Sequence, residues 1–417
     1  MRVDHVEPAV APPPGNPRFP LFDGLRAIAA FSVLLYHTSA TAGAHSQSAA
    51  GTVLARLNIG VVIFFVISGF LLYRPFVAAR MDARPGPGAA AYARRRFLRI
   101  VPAYWVALTI LGIYPGARGL WSDDWPIFYG FGQVYSQDTL TEGIGPAWTL
   151  CTEVAFYVLL PVYAYAVARA LGKRAGAVRL ELMLLGGLAL VSVGVQTIVS
   201  GGPGFGTLGL TLVGTFAWFA VGMALAVLSA AAARGSVRAP AVPALGAWAG
   251  ALGLFLVLCY VLGDPKEAVF LERRTYGEAF FAFVMSGLIA ALLVLPAVFG
   301  GREEGAPRRL LAVAPVAWLG LISYGIYLWH EPITRWLLAR DVVETFDFAP
   351  LVAMTVLTVA ITVPIAAASY YLVERQALRF KEGVPAGLLS RRRRRAGPAA
   401  APAAADARGE SSGPGPP

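Results

Sequence analysis

Charged residues and cysteines are both scarce in this chain, and each shortage narrows its class. Only 14% of the 417 residues are Asp, Glu, Lys or Arg, while 57% are hydrophobic and the mean hydropathy is +0.62. A soluble globular domain carries roughly 25% charged residues, so the composition argues against a soluble protein. The two cysteines, Cys151 and Cys259, lie far apart in apolar stretches, which is not the pattern of a disulfide framework.

Several signatures of metal and nucleotide enzymes are also missing. The cysteines and the 4 histidines show no spacing typical of a structural metal site, and there is no phosphate-loop motif. We therefore expect neither a metal nor a bound cofactor. No acidic motif with metal-ligand spacing lies in a predicted outer loop, which disfavours a glycosyltransferase with a polyprenyl-linked donor. The sequence contains no internal repeat and no stretch typical of a separate soluble domain.

Long hydrophobic runs recur along the chain, each long enough to cross a bilayer. We predict an all-α, polytopic integral membrane protein with about ten transmembrane helices, at residues 24–41, 58–77, 98–117, 147–169, 180–199, 207–230, 241–262, 276–299, 312–335 and 350–373. They lie in a membrane domain over 21–380. A predicted disordered arm, 1–20, precedes it, and a basic, Ala/Pro/Gly-rich tail, 381–417, follows and is also predicted to be disordered.

Basic residues predict how these helices are oriented. Most of the 35 Lys and Arg residues fall in segments on the same side as the N-terminus, and the cytoplasmic segments of membrane proteins are enriched in these residues. We therefore predict a multi-pass protein of the cell membrane with both termini in the cytoplasm. The net charge of +11 reflects this bias, so we expect contacts with membrane lipids, with headgroups at 391–395, and no nucleic-acid partner.

The first apolar segment contains two ionisable residues, Arg26 and His37, in the stretch LRAIAAFSVLLYH. Eleven residues make about three helical turns, so both side chains lie on one helical face about 16 Å apart along the axis. Ionisable groups inside a membrane are costly and mark functional sites by default. We predict a pocket that opens near Arg26 and performs proton chemistry at His37. The alternative is a structural histidine and an arginine that extends to lipid headgroups.

The fourth predicted span places Glu153 about two turns from the outer membrane face, on the same helical face as Thr149 and Tyr157. We hypothesise that Glu153 orients or charges His37 from a neighbouring helix. The alternative is a hydrogen-bonding role between helices. Ser68, in the stretch FFVISGF of the second span, lacks the surrounding pattern of a hydrolase nucleophile, and we interpret it as a packing residue.

The ninth predicted span has a second polar face, in the stretch WLGLISYGIYLWHEP. Ser323, Tyr327 and His330 share one face near the outer end of the helix, and Glu331 lies beside them. The outer loop at about 118–146 is long enough to cover such a site but too short to fold alone. The alternative interpretation is that the aromatic residues form an interfacial belt.

Basic residues cluster at the inner end of the third predicted span. Arg96 and Arg99 are one turn apart at the start of a helix, where forked guanidinium donors and the helix dipole suit a phosphate group. Lipid headgroups are the alternative ligand. At the inner end of the tenth span, Glu374 precedes Arg375, and we predict a helix-end salt bridge between them. Inner cations and outer histidines together suit an enzyme that takes an acyl group from cytosolic acyl-CoA and delivers it outside.

Seven stretches of the chain, in order and with compatible spacing, resemble the acyltransferase-3 family of membrane-bound O-acyltransferases. They are FDGLRAIAAFSVLLYH, GVVIFFVISGFLLYRPF, RRFLRIVPAYW, PAWTLCTEVAFYVLLP, TFAWFAVGMALA, WLGLISYGIYLWHEP and YYLVER. The resemblance covers about residues 20–380. It implies a ten-helix enzyme that moves an acyl group, often acetyl, from cytosolic acyl-CoA to a hydroxyl of a sugar or glycoconjugate, such as a surface polysaccharide, a lipid-linked glycan or an antibiotic sugar. Family members often carry Asp where this chain has Val62, so no acidic role is assigned there.

The resemblance also assigns roles to individual residues. Arg26 and His37 match the family's essential pair, Arg96 and Arg99 match its basic donor-binding motif, and Glu153 matches its acidic position. Further candidates for acceptor binding or for stabilising an oxyanion are Trp148, Ser323, Tyr327, His330 and Glu331.

The residues and the resemblance lead to one mechanistic hypothesis. Neutral His37 accepts a proton from the acceptor hydroxyl or carries the acyl group. Glu153 or another carboxylate holds its tautomer, and Tyr327 or Ser323 donates to the oxyanion. A membrane transporter or flippase of a glycan or lipid is the alternative function, because buried charges on many helices also suit transport. A membrane sensor or scaffold is a further one, and it predicts no use for His37.

Overall fold

The computed structural model describes residue 19 and residues 21–45, 48–116, 119–172, 176–201, 207–240, 243–263, 274–299 and 305–380. These segments contain helices, turns and bends, and no strand lies among them. The predicted arm, 1–20, lies outside the described residues apart from residue 19, and so does the predicted tail, 381–417. The α-helices are α1 (Leu21–Thr41), α2 (Ala49–Ala55), α3 (Ile59–Met81), α4 (Ala89–Ile113), α5 (Trp125–Tyr129), α6 (Trp148–Leu171), α7 (Ala177–Gly201), α8 (Leu212–Ala232), α9 (Ala244–Leu262), α10 (Tyr276–Val298), α11 (Ala306–Ala312), α12 (Ala314–Leu321), α13 (Ser323–Leu338), α14 (Val342–Thr345), α15 (Pro350–Ser369) and α16 (Arg375–Leu378).

Eight helical segments in the described part of the chain are long and apolar enough to cross a membrane. They contain α3, α4, α6, α7, α8, α9, α10 and α15. This confirms the predicted all-α, polytopic membrane fold. The other two predicted spans, 24–41 and 312–335, correspond to α1 and to the pair α12–α13, and their crossing of the membrane stays a prediction.

Helix α1 is enclosed by other helices, which explains how it accommodates charge. It packs against α3, α12, α13 and α15, and residues on several of its sides are buried, including Leu25, Ala29 and Leu34. Neighbouring helices approach its backbone closely, because a Cβ at Gly320 of α12 would collide with the backbone of Asp23. A helix that is shielded from lipid on most sides can carry polar groups such as Thr38 and Ser39, which are completely buried and so face protein rather than hydrocarbon.

The ninth predicted span is not one helix. Helix α12 ends at Leu321 and α13 begins at Ser323; between them lies Ile322, whose φ of −93° and ψ of 4° lie outside the α-helical region. The prediction of a continuous helix over 312–335 is therefore wrong, because hydropathy measures apolar length and does not detect a residue whose backbone dihedrals leave the helical region. The break lies next to the close approach between α12 and α1.

Helices α3 and α8 form the most extensively packed pair in the described structure. Two glycines allow it: a Cβ at Gly69 would collide with the Phe219 carbonyl, and a Cβ at Gly222 would collide with the Val66 carbonyl. Small residues at a helix crossing let two backbones approach in this way. The stacked rings of Phe219 and Phe156, 4.2 Å apart, join α6 to this pair. The result is a rigid wall on one side of α1.

The predicted outer loop is built from α5 and short 3₁₀ turns that fold back on α4. Its fastening is polar and buried: the Tyr104 hydroxyl donates to the Phe128 carbonyl at 2.9 Å, and the Gln133 amide donates to the Tyr104 hydroxyl at 3.0 Å. Leu120, Phe128 and Val134 belong to the same hydrophobic cluster as α4, α6 and α13. The segment is therefore part of the core at this end of the molecule.

Candidate active site

A cavity of about 240 Å³ lies between α1, α3, α4, α6 and α13. Arg26, Arg96 and Arg99 all line it, so the structure brings together the three cations that the sequence assigned to the donor. Side chains of α3 between Val61 and Leu72 form one wall, a length of about 16 Å along the helix. The cavity is therefore elongated along the helix axes.

The two ends of the cavity differ in chemistry. At one end, the Arg96 guanidinium carbon lies 5.9 Å from the centre of the Tyr157 ring. At the other end, the Thr149 and Tyr327 hydroxyl oxygens are 2.6 Å apart. Since Thr149 and Tyr157 are eight residues apart on α6, the cationic end and the hydroxyl end are separated by about 12 Å.

The three arginines differ in their partners. Arg26 Nη1 donates to Asp23 Oδ1 at 3.0 Å, and Arg99 Nη1 donates to Glu374 Oε2 at 3.3 Å. Arg96 makes no ion pair with the described carboxylates, and its buried Nε has no hydrogen-bond partner among the described residues. An anionic ligand would complete the hydrogen bonding of Arg96.

The predicted salt bridge between Glu374 and Arg375 is wrong, because Glu374 pairs with Arg99 instead. Glu374 is 1% exposed and lies in a π-helical turn, Tyr370–Glu374, at the end of α15. A π-helical turn adds a residue to the helix and so rotates the following side chains. The expectation assumed a regular helix end, where the neighbouring Arg375 would be the nearest cation.

Glu153 lies in the cavity and not at His37. Its Oε1 accepts hydrogen bonds from Ser68 at 2.5 Å and from Tyr157 at 2.7 Å. The structure therefore does not bring Glu153 within hydrogen-bond distance of His37, as the sequence hypothesis required. Ser68 lines the cavity as well, so it is a polar group of the site rather than only a packing residue.

The partner of His37 is a second histidine. His37 Nδ1 lies 3.0 Å from His330 Nε2 and 3.0 Å from the Val33 carbonyl oxygen. His330 Nδ1 lies 3.0 Å from the Ile326 carbonyl oxygen. His330 is completely buried, whereas His37 is half-buried. We call these two residues the histidine pair.

The histidine pair lies just past the hydroxyl end of the cavity. His330 follows Tyr327 by three residues on α13, which is less than one helical turn, and the two rings are 5.8 Å apart. Tyr327 also lies 5.9 Å from the ring of Phe64, a cavity residue of α3. Along the molecule, the arginines therefore lie at one end of the cavity, Tyr327 lies at the other end, and the histidine pair lies beyond Tyr327.

The hydroxyl of Tyr327 is engaged within the protein. It donates to the Pro146 carbonyl at 2.9 Å, and Thr149 Oγ1 lies 3.0 Å from the same carbonyl. These contacts fasten α13 to the start of α6. Ser323 also lines the cavity and is 2% exposed. Both residues remain candidates for stabilising an oxyanion, and for Tyr327 that role requires an exchange of hydrogen-bond partner.

Trp148 and Glu331 lie outside the residues that line the cavity. Trp148 is the first residue of α6 and is buried against the outer loop cluster. Glu331 forms an ion pair with Arg335 one turn along α13, and Arg335 Nη2 donates to the Thr141 carbonyl at 3.5 Å. The structure therefore places Glu331 in a contact that holds the outer loop, and their predicted roles toward the acceptor are not tested by these contacts.

Sequence reasoning identified His330 but not its partner. Helical periodicity predicts which residues share a face of one helix, and it does not predict which residue faces them from another. The pairings of His330 with His37 and of Glu374 with Arg99 both cross more than 270 residues of sequence. The stretch YLWHEP held the signal for a second histidine at membrane depth.

Among the described residues, no group of three His, Cys, Asp or Glu side chains is placed to hold a metal ion.

Comparison with known proteins supplies relatives along most of the chain. It is 26% identical over 380 residues to "Peptidoglycan O-acetyltransferase OatA" of Listeria monocytogenes, which covers 85% of this chain and 55% of the relative. It is 29% identical over 385 residues to "Putative peptidoglycan O-acetyltransferase YrhL" of Bacillus subtilis, covering 85% and 54%. A third relative, "Acyltransferase MdmB" of Streptomyces mycarofaciens, is 29% identical over 165 residues, covering 36% and 40%.

The extent of these matches bounds what they establish. The chain spans about half the length of OatA and YrhL, and no solved structure matches it. Residues 20–370 match the family described as "Acyltransferase domain". This match confirms the resemblance carried by the seven stretches, and the chain belongs to that acyltransferase family.

Proposed function

We propose that this chain transfers an acyl group, most simply acetyl, from acyl-CoA to a hydroxyl group of a glycan at the membrane. The observation that supports this proposal is the cavity lined by Arg26, Arg96 and Arg99, whose other end is formed by Thr149 and Tyr327, with the histidine pair next to Tyr327. The arginines at one end suit an anionic group of the donor, and the histidines near the other end suit proton transfer from the acceptor. An acyl transfer between two substrates needs both of these sites.

The donor end of the proposed reaction is the arginine cluster. Guanidinium groups bind phosphate through two parallel hydrogen bonds, and the buried Nε of Arg96, which has no hydrogen-bond partner among the described residues, could donate one of them. We place the phosphates of acyl-CoA there, on the side of the membrane where basic residues are enriched. The flexible thioester arm would then extend along the wall formed by α3, past Ser68, toward Tyr327.

The proposed chemistry is a direct transfer with His37 as general base. The bare ring nitrogen of His37 accepts the proton of the acceptor hydroxyl while the hydroxyl oxygen attacks the thioester carbonyl. A C–O bond forms, the C–S bond breaks, and the CoA thiolate receives the proton from the imidazolium. Tyr327 or Ser323 would donate a hydrogen bond to the carbonyl oxygen as it becomes negative.

The acceptor class is proposed from the relatives. OatA and YrhL are named for O-acetylation of peptidoglycan, so a hydroxyl of a cell-wall glycan is the first acceptor to test. The half-buried side chain of His37 suits this role, because an acceptor must reach it from outside the donor cavity.

The test uses the full chain in nanodiscs with radiolabelled acetyl-CoA and soluble peptidoglycan fragments. Wild type should transfer label to the fragments, and His37→Ala should lower transfer on the order of 10²- to 10⁴-fold, the range that general-base catalysis contributes. His45→Gln is the matched control: His45 hydrogen-bonds Ser39 and makes no hydrogen bond to the histidine pair among the described contacts, so this variant should retain wild-type activity. Full activity in His37→Ala would contradict the role of His37. Movement of a labelled glycan across vesicles without acetyl-CoA consumption would favour a transporter.

A further inference from the structure

We infer that His330 is the positioning residue of the reaction: it fixes the tautomer of His37 so that His37 Nε2 is the base. This inference rests on the proposed function for its catalytic meaning. The tautomer itself is a property of the resting protein and can be tested without any activity. No carboxylate takes part in it, which distinguishes it from the hypothesis drawn from the sequence.

The tautomer of His330 follows from one contact. A carbonyl oxygen accepts hydrogen bonds and cannot donate them. Since His330 Nδ1 lies 3.0 Å from the Ile326 carbonyl, Nδ1 carries the hydrogen and donates it. In a neutral imidazole the other nitrogen is then bare, so His330 Nε2 presents a lone pair to His37.

The tautomer of His37 follows from the first. His37 Nδ1 faces two acceptors, the Val33 carbonyl and the bare Nε2 of His330, each at 3.0 Å. A bare nitrogen at this position would meet two lone pairs, so His37 Nδ1 carries the hydrogen. His37 Nε2 is therefore unprotonated in the neutral pair and is free to accept a proton.

The surroundings hold this arrangement in place. His330 is completely buried, and Thr334 Oγ1 donates to the His330 carbonyl at 2.7 Å. On the other helix, Thr38 of α1 contacts Thr355 of α15 at 3.1 Å beside His37. Both rings are thus carried by helices that are tied to α15, since Thr334 also lies 3.3 Å from Thr358.

The nearby carboxylates are engaged elsewhere. Glu153 accepts from Ser68 and Tyr157, and Glu331 pairs with Arg335. His330 therefore takes the place that a carboxylate occupies in other acid–base sites, where it orients the base and stabilises its imidazolium. A neutral imidazole performs the first task fully. It performs the second through a hydrogen bond that becomes charge-assisted when His37 is protonated.

The first test is spectroscopic and uses the wild-type chain in detergent or nanodiscs with ¹⁵N-labelled histidine. The chain has only 4 histidines, and protonated and bare ring nitrogens have well-separated ¹⁵N resonances. At neutral pH we expect both His37 and His330 to carry hydrogen at Nδ1, with His45→Gln used to assign the signal of His45. Protonation of His37 at Nε2 would overturn the inference whether or not the protein transfers acetyl groups.

The second test separates positioning from packing with two substitutions of similar size. His330→Leu removes the acceptor and should lower kcat about 10²-fold, the lower end of what general-base catalysis contributes, with the KM for acetyl-CoA unchanged. His330→Gln retains an acceptor oxygen and should recover activity to within about tenfold of wild type. The inference would be overturned if His330→Leu kept the wild-type kcat. It would also be overturned if His330→Leu and His330→Gln both folded and lost the same fraction of kcat. If the wild-type protein transfers no acetyl group, the proposed function is contradicted. The spectroscopic test then still decides whether His330 fixes the tautomer of His37.

Discussion

At the scale of single residues, Arg96 stands apart from the other two cavity arginines. Arg26 and Arg99 are each neutralised by a carboxylate, Asp23 and Glu374 respectively. Arg96 lies beside the ring of Tyr157, and its buried Nε has no hydrogen-bond partner among the described residues. Of the three arginines, Arg96 should therefore be stabilised most by an anionic ligand, because the ligand would supply its missing hydrogen bond.

Arg96→Gln should therefore raise the KM for acetyl-CoA more than any other loss of charge on this side of the protein. Hydrogen bonds to charged groups are worth about 1.5–3 kcal/mol, which corresponds to about a 10- to 100-fold increase in KM. Steady-state kinetics of the full chain with varied acetyl-CoA measures it. The matched control is Arg375→Gln, an exposed arginine beside Glu374 that does not line the cavity. Equal KM values in the two variants would contradict phosphate binding at Arg96.

Sequence reasoning worked at this scale wherever one helix was enough. The spacing of Arg26 and His37, and the shared face of Ser323, Tyr327 and His330, needed only helical geometry. The failures involve contacts between helices. Glu153 was assigned to His37 because both lay at a similar membrane depth, and depth does not determine which pair of helices is adjacent.

At the scale of elements, the ends of α3 and α8 are tied together by one arginine. Arg234, just after α8, donates to Asp82 Oδ1 at 2.6 Å and to the Ala78 carbonyl of α3 at 3.0 Å. It also donates to the Ala230 carbonyl of α8 at 2.6 Å. Arginine at a helix C-terminus satisfies carbonyls that have no partner within the helix. The contact closes the most extensively packed helix pair at its end.

The hydrogen bonds from Arg84 and Arg234 lower the pKa of Asp82 below its ordinary value of 3.8. A carboxylate with a lowered pKa stabilises the folded state above its ordinary pKa, and this contribution disappears as the pH falls through the lowered value. Asp82→Asn should thus lower stability at neutral pH by less than about 1 kcal/mol, since Asp82 and Arg234 are both partly exposed to solvent. Thermal unfolding in detergent, compared at two pH values, should find this difference near pH 7 and a smaller one in acid, because the contribution is lost as the pH falls through the lowered pKa of Asp82.

The control for this element is Asp123→Asn, an exposed carboxylate in the outer loop. It should leave thermal stability unchanged at both pH values. A stability difference for Asp82→Asn that persists unchanged in acid would contradict the assignment, because the contribution would then come from something other than the ionised carboxylate.

Two interruptions of regular helix were not predicted from the hydropathy of the sequence. The apolar run over 312–335 contains no charge before its last few residues, and nothing in its hydropathy marks the interruption of the helix at Ile322. Similarly, the π-helical turn at Tyr370–Glu374 leaves no compositional trace. Both irregularities lie beside the cavity: Glu374 of the π-helical turn pairs with the cavity residue Arg99, and Ile322 directly precedes the cavity residue Ser323. The sequence predicts helices by their apolar length, whereas these sites depend on how one helix packs on the next.

At the scale of the whole molecule, composition alone predicted the fold class. A chain with 14% charged residues and repeated long apolar runs has few stable alternatives in water, and a bilayer permits only structures that satisfy their own backbone groups. Helix α1 is not among the eight segments that are long and apolar enough to cross a membrane. Helix α1 carries Asp23, Arg26 and His37, and it is enclosed by α3, α12, α13 and α15. This enclosed helix can therefore carry ionisable residues, because its neighbours replace the lipid.

The predicted topology gives a test of the whole molecule. With both termini in the cytoplasm and ten crossings, the segment after α3 lies inside, and the loops before α6 and before α15 both lie outside. Single cysteines at three exposed positions report on these segments: Pro85→Cys, Asp123→Cys and Asp347→Cys. They are placed in a chain whose two buried cysteines, Cys151 and Cys259, are changed to alanine. In intact cells a membrane-impermeant thiol reagent should label Asp123→Cys and Asp347→Cys, and should label Pro85→Cys only after permeabilisation.

Each pattern of labelling has a distinct meaning. The chain without cysteine should remain unlabelled in both conditions. Labelling of Pro85→Cys alone in intact cells would reverse the orientation derived from the basic residues, and would place the arginine end of the cavity outside, where acyl-CoA is absent. Six predicted crossings separate Asp123 from Asp347, so the two loops share a side only if the broken pair α12–α13 crosses the membrane with the others. Labelling of Asp123→Cys without Asp347→Cys would therefore show that this pair, which carries His330, enters the membrane and returns to the same side.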